Sequence, residues 1–172
     1  MDHSTNPRPM AIASALWLYY LSKILELLDS VFFILRGKYN QLTFLHVYHH
    51  SSMIALAWVN VNFLPGGNSV VGTALNCGVH IVMYSYYFLA SLGPKIQKYL
   101  WWKRYLTTLQ IIQFVIFLGM LINMEIMGEK CEWPKNVLHV WLLHMTSFFV
   151  LFLNFYRKTY SKKTHSVSKK DL

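Results

Sequence analysis

The sequence predicts an all-α integral membrane protein with about five transmembrane helices, and three observations carry that expectation. Of 172 residues, 55% are hydrophobic, 16% aromatic and only 13% charged, a charged share about half that of a soluble domain. The apolar residues gather in five blocks, each of about 20 residues or slightly more, enough to cross a hydrocarbon core. No alternating strand pattern interrupts them, and a segment in lipid satisfies its own backbone groups as a helix. The same composition excludes a soluble fold, a disordered tail and a disulfide-rich secreted module. Cys77 and Cys131 are too few for a disulfide framework and lack CxxC metal spacing.

The expected spans run over residues 11–35, 42–63, 68–92, 101–124 and 135–156, inside one domain of residues 1–160 with a basic tail at 161–172. The opening MDHSTNPRPMAIAS offers no clean cleavage site. The block after it is too long and too charged at its centre for a signal peptide, so it reads as the first span.

Orientation follows from the loops. The net charge of +9 comes from 16 Lys and Arg against 7 Asp and Glu. Cations sit at Arg36 and Lys38, at Lys95, Lys98, Lys103 and Arg104, and in the tail at Arg157, Lys158, Lys162, Lys163, Lys169 and Lys170. The alternate loops are neutral (64–68) or net acidic (125–132). That alternation places the tail in the cytosol and the N-terminus on the opposite side, and it argues for a bilayer rather than a nucleic acid as partner. Trp101, Trp102 and Trp133 fall at span ends, where an interfacial belt places them. The final Lys169-Lys170-Asp171-Leu172 (KKDL) reads as a dilysine retrieval address, which predicts a multi-pass protein of the endoplasmic reticulum membrane.

Ionisable groups inside spans are costly and face a cavity or a partner. The first span carries Lys23, Glu26, Asp29 and Ser30, and the spacing of three puts the charges along one side of the helix. They read as the polar wall of a substrate cavity, or as a charge cluster that locks helices together. The second span carries His46, His49 and His50 on one helical face. The third holds His80, Tyr84 and Tyr87 on one stripe with Tyr86 beside it, and the fourth runs Lys103, Thr107, Gln110 down from its cytosolic edge. Thr and Gln there also serve as interhelical glue. Arg36, Lys38, Gln41 and Lys103 mark a cytosolic mouth, with the histidines and tyrosines roughly 10–20 Å deeper at 1.5 Å per residue. A ligand with an anionic head, a reacting centre part-way down and an apolar remainder fits that layout. An acyl-CoA has this shape.

His-x-x-His-His is compatible with a membrane di-iron desaturase or hydroxylase and with metal-free acyl transfer. The chain has 8 histidines, two of them terminal, and one histidine box, which is poor for a di-iron ligand set. An imidazole alone acts as nucleophile or general base near neutrality. The segments Lys23-x-x-Glu26-x-x-Asp29, His46-x-x-His49-His50, Asn76-x-x-x-His80-x-x-Met83-Tyr84-x-Tyr86-Tyr87 and Thr107-x-x-Gln110-x-x-Gln113-Phe114 resemble, in order and spacing, the motif series of the very-long-chain fatty acid elongases. The resemblance runs from about residue 15 to residue 160.

That resemblance implies helices forming most of a barrel around an acyl tunnel. It implies the condensing step of fatty acid elongation, in which acyl-CoA and malonyl-CoA give 3-oxoacyl-CoA, carbon dioxide and CoA, with no metal or tightly held cofactor. His49 would take the acyl group, with His46, His50 and His80 orienting it, shuttling protons or assisting decarboxylation. Lys23, Glu26, Asp29, Tyr84, Tyr86, Tyr87, Thr107 and Gln110 would line the substrate site. Arg36, Lys38, Gln41 and Lys103 would hold the CoA phosphates. Partners implied are the two CoA thioesters, the bilayer, other enzymes of the elongation cycle or a second copy. Two departures stand out. Ser30 occupies the place of the family's usual Thr, and the chain lacks roughly the first two of seven spans. It reads as a fragment, a short isoform or one part of a barrel that a partner completes; an inactive subunit binding full-length relatives is the alternative. Cys131 lacks a partner on its side of the membrane within this chain.

Overall fold

The computed structural model describes residues 7–63, 68–128 and 133–161, and every regular element among them is helical. Cys131, the loop at 64–67, the acidic Glu129 and Glu132 and the end at 169–172 lie outside the described residues. The chain divides into two compact units, Met1–Ala74 and Leu75–Leu172.

The first unit holds α1 (Pro7–Leu25), α2 (Leu28–Leu35), a single 3-10 turn at Tyr39–Gln41, and α3 (Phe44–Phe63). The continuous helix expected over the first span is thus broken after Leu25. Here the Leu27, Asp29 and Ser30 amides donate to the carbonyls of Ile24, Glu26 and Leu27, three residues back, at 3.1, 3.2 and 3.0 Å. In such a tightened turn, side chains three apart eclipse one another. Lys23 and Glu26 are brought into an ion pair at 2.7 Å, and Lys23 is only 2% exposed.

α2 ends in a Schellman motif. Gly37, at φ 63°, occupies the left-handed conformation that an L side chain resists. Its amide bonds the Ile34 carbonyl at 3.0 Å, and the Lys38 amide bonds the Phe33 carbonyl at 2.8 Å. The reversal therefore sets Arg36 and Lys38 on either side of the glycine. α1 packs on α3, with Leu16 and Lys23 buried on α1 and His50, Met53, Ala57 and Asn60 buried on α3. The α3 set repeats at helical spacing and defines one inward stripe.

α4 (Asn68–Ser91) begins in the first unit and continues into the second. Gly93, at φ 101°, and Pro94 end its run and start the four-residue α5 (Pro94–Gln97). α6 (Lys103–Met127) and α7 (Lys135–Tyr156) follow, with a wide helical turn over Arg157–Ser161. α6 and α7 pack along their length. Leu106, Phe114, Leu121 and Met124 are buried on α6, and Leu138, Trp141, Met145 and Phe148 on α7. The Phe114 ring lies 5.8 Å from Phe148 and 5.0 Å from Phe152. At one end Arg104 Nε donates to Tyr156 Oη at 2.8 Å; at the other, His139 Nε2 meets Glu125 Oε1 at 3.3 Å.

Of the five expected spans, α6 and α7 are long and apolar enough to cross a membrane by length and composition. α3 and α4, at 20 and 24 residues, have the length. They fall short on apolarity because α3 carries three histidines and two asparagines, and α4 carries Asn76, His80 and three tyrosines.

Candidate functional site: a histidine row and a cationic recess

The offsets of three and four along α3 stack the imidazoles as a row. The His46 and His50 rings lie 4.4 Å apart, and the His49 and His50 rings 5.2 Å apart. His50 is buried, at 8% exposure, while His46 and His49 are half-buried. The row is anchored from α2, where Ser30 Oγ and His46 Nε2 share a hydrogen bond of 2.9 Å. The Phe33 ring lies 5.3 Å from the His46 ring, and Asp29 is within electrostatic reach of it. Three imidazoles in ring contact combine a nucleophile with neighbours able to take or return its proton.

Lys23 and Glu26 also belong to this unit. The Lys23 ammonium bonds Glu26 at 2.7 Å and stands 4.8 Å from the Tyr19 ring centroid. A buried charge is tolerated when it is paired in this way. Beyond α2, Phe32, Phe33, Arg36 and Lys38 line an open recess of about 270 Å³. Arg36 and Lys38 are exposed, as an anion-receiving pair must be, and Gln41 is exposed on the following 3-10 turn. Phe33 reaches both features, touching the recess with one part of its surface and lying beside the His46 ring.

The second unit carries the remaining predicted residues. The His80 ring is 5.9 Å from Tyr84, Tyr84 is 6.1 Å from Tyr87, and Tyr87 is 6.0 Å from Tyr86. Tyr86 is buried with Leu100 and Leu106 and set edge-on to Trp102 at 5.0 Å. Gln110 Nε2 donates to Met83 Sδ at 3.5 Å. Thr107 is buried at 6% exposure, and Lys103 is exposed at the start of α6. Gln113, which the sequence reading leaves without a site role, is buried with Oε1 unbonded. Among the described residues, no group of three or more His, Cys, Asp or Glu side chains is arranged to hold a metal ion.

Sequence reasoning gives Phe32 and Phe33 no role in the site and leaves Ser30 as one member of a polar wall. Ser30 carried a usable signal, a hydroxyl next to the last charge of the polar series. The others look like ordinary span residues, and only their packing reveals them.

Comparison with known proteins gives the family. The model of the ELO: GNS1/SUR4 family matches residues 2–168. The chain is 48% identical over 162 residues to very long chain fatty acid elongase 4 of Homo sapiens, covering 94% of this chain and 51% of that protein. It is 47% identical over 152 residues to very long chain fatty acid elongase 2 of Mus musculus, covering 88% and 51%. It is 42% identical over 163 residues to very long chain fatty acid elongase 7 of Drosophila melanogaster, covering 95% and 49%. The chain spans about half the length of the curated relatives it matches. With a family match over almost all of its residues, the chain belongs to the GNS1/SUR4 family, alongside the very long chain fatty acid elongases.

Proposed function

We propose that the chain carries the condensing chemistry of fatty acid elongation, and the observation that supports this most is the contiguous row of His46, His50 and His49 on α3. The His49 imidazole attacks the thioester carbonyl of an acyl-CoA. The carbon–sulfur bond breaks, an acyl-imidazole forms, and the CoA thiolate leaves with a proton passed on by a neighbouring imidazole. Malonyl-CoA then loses carbon dioxide, and the enolate carbon left behind attacks the acyl carbon. The carbon–nitrogen bond breaks, His49 is regenerated, and 3-oxoacyl-CoA departs. The reaction needs no metal or redox cofactor, because electrons only move between acyl carbon, nitrogen, sulfur and the departing carboxylate.

Further assignments belong to the same reading. The Arg36 and Lys38 recess receives CoA phosphates, since charge-assisted bonds to phosphate are the strong ones, and Gln41 and Lys103 are assigned to the same headgroup. His80 assists proton transfer. Lys23, Glu26, Asp29, Tyr84, Tyr86, Tyr87, Thr107 and Gln110 shape the thioester and pantetheine region. Five spans form most of a barrel around an acyl tunnel in the endoplasmic reticulum membrane, with the Lys169-Lys170 end in the cytosol as a retrieval address. Other elongation-cycle enzymes or a second copy are the protein partners. The alternative reading is an inactive subunit that binds full-length relatives.

The test is condensation by membranes expressing this chain in a host without its own elongases, given acyl-CoA and labelled malonyl-CoA. Labelled 3-oxoacyl product that vanishes in His49→Ala supports the enzyme. No product from a correctly inserted chain supports the inactive subunit.

A further inference from the structure

The contact between α2 and the start of α3 gives Ser30 a task that the substrate-site assignments leave empty. Its Oγ is 2.9 Å from His46 Nε2, across 16 residues of sequence. The distance is that of a well-formed hydrogen bond. Ser30 sits in the tightened stretch after Leu25, where its amide bonds the Leu27 carbonyl at 3.0 Å, so its backbone is held. The Phe33 ring, one turn on, lies 5.3 Å from the same imidazole. His46 in turn lies against His50 at 4.4 Å, and His50 against His49 at 5.2 Å.

An imidazole with one ring nitrogen engaged has its tautomer and orientation set by that bond, and the other nitrogen is the one left for chemistry. We infer that Ser30 is a positioning residue: its hydroxyl holds His46 by Nε2 and so sets the orientation of the histidine row, with the Phe33 ring packed beside His46. The inference rests on the condensation reading for its consequence, and on geometry alone for the Ser30–His46 bond. A hydroxyl is needed and its carrier can vary. Threonine at this position keeps Oγ and adds one methyl; alanine removes the partner and leaves Nε2 open.

Two readouts on the full chain in lipid nanodiscs test it. The first is the rate at which diethyl pyrocarbonate modifies His46, followed by peptide mass spectrometry. Ser30→Ala should raise that rate several-fold, because Nε2 is uncovered, while Ser30→Thr stays close to the parent chain. The second is condensation. Ser30→Ala should lower kcat about tenfold, the rate equivalent of one lost hydrogen bond to a reacting group. KM for acyl-CoA should hardly move, and Ser30→Thr should recover most of the rate. Equal modification of His46 in the parent and in Ser30→Ala overturns the proposal, whatever the activity. A raised KM at unchanged kcat also overturns it, since that pattern belongs to a substrate-binding residue. If the parent chain makes no product at all, the condensation reading fails, and the modification rates still decide whether Ser30 holds His46.

Discussion

The two units bury different chemistry. In the first, the α1–α3 packing takes in Lys23, His50 and Asn60 beside Leu16, Met53 and Ala57. In the second, α6 and α7 bury Phe114, Leu121, Met124, Leu138, Met145 and Phe148, with Phe148 fully buried, and among the described residues they take in the uncharged Thr107, Gln113 and His144 but no Lys, Asp or Glu. Two apolar helices in lipid associate through shape, because lipid tails are as apolar as the side chains they replace. Helices with buried charge and imidazole gain nothing from that burial unless each polar group finds its partner. The α6–α7 pair, with the larger apolar share, therefore carries more of the scaffold, and the α1–α3 region, with its buried lysine and histidine row, is where more stability is given up for chemistry.

The strongest way to break that contrast is His49→Ala. Loss of a nucleophile should lower labelled product at least roughly a thousand-fold, while a melting curve in detergent stays close to the parent's. A variant that melts early and loses activity in proportion makes His49 a structural residue instead.

Glu26→Gln comes next. It leaves Lys23 buried without its carboxylate, and breaking a buried pair costs about 3–5 kcal/mol. Denaturant unfolding should show the loss. The double replacement of Lys23 and Glu26 by Met sharpens the point, since an apolar pair of similar volume often restores stability. Restored stability without activity places the pair in the substrate site. Restored stability with full activity makes it a helix lock.

Phe148→Ala tests the scaffold half. A large-to-small change at this fully buried position should cost about 3 kcal/mol, through lost contacts with Phe114 and His144 at ring distances of 5.8 and 4.3 Å. Melting should fall while the His46 modification rate stays put. The smallest effect belongs to Tyr156→Phe, which removes the acceptor of the exposed Arg104 bond. Exposed polar links add little, so its melting curve should overlay the parent's.

Much of the candidate site is legible in the sequence because it lies on single helices. Offsets of three and four place His46, His49 and His50 on one face whatever surrounds them, and Lys23 and Glu26 meet for the same local reason. Contacts between elements are not legible in that way. The Gln110–Met83 bond spans 27 residues and Arg104–Tyr156 spans 52. Tyr86 stands beside the stripe of His80, Tyr84 and Tyr87, and its ring closes a small core with Leu100, Leu106 and Trp102 that the stripe does not announce. A stripe says which side of a helix a residue is on and leaves open what that side faces.

By itself, then, the amino-acid order determined an all-helical chain, its long apolar blocks and the histidine face of α3. These follow from short-range periodicity and backbone sterics, which act within a few residues. Tertiary structure alone decided that Ser30 reaches His46, that Gln110 meets Met83 and that Arg104 meets Tyr156. Those outcomes depend on which helices meet and at what height, and dense packing settles that collectively rather than residue by residue.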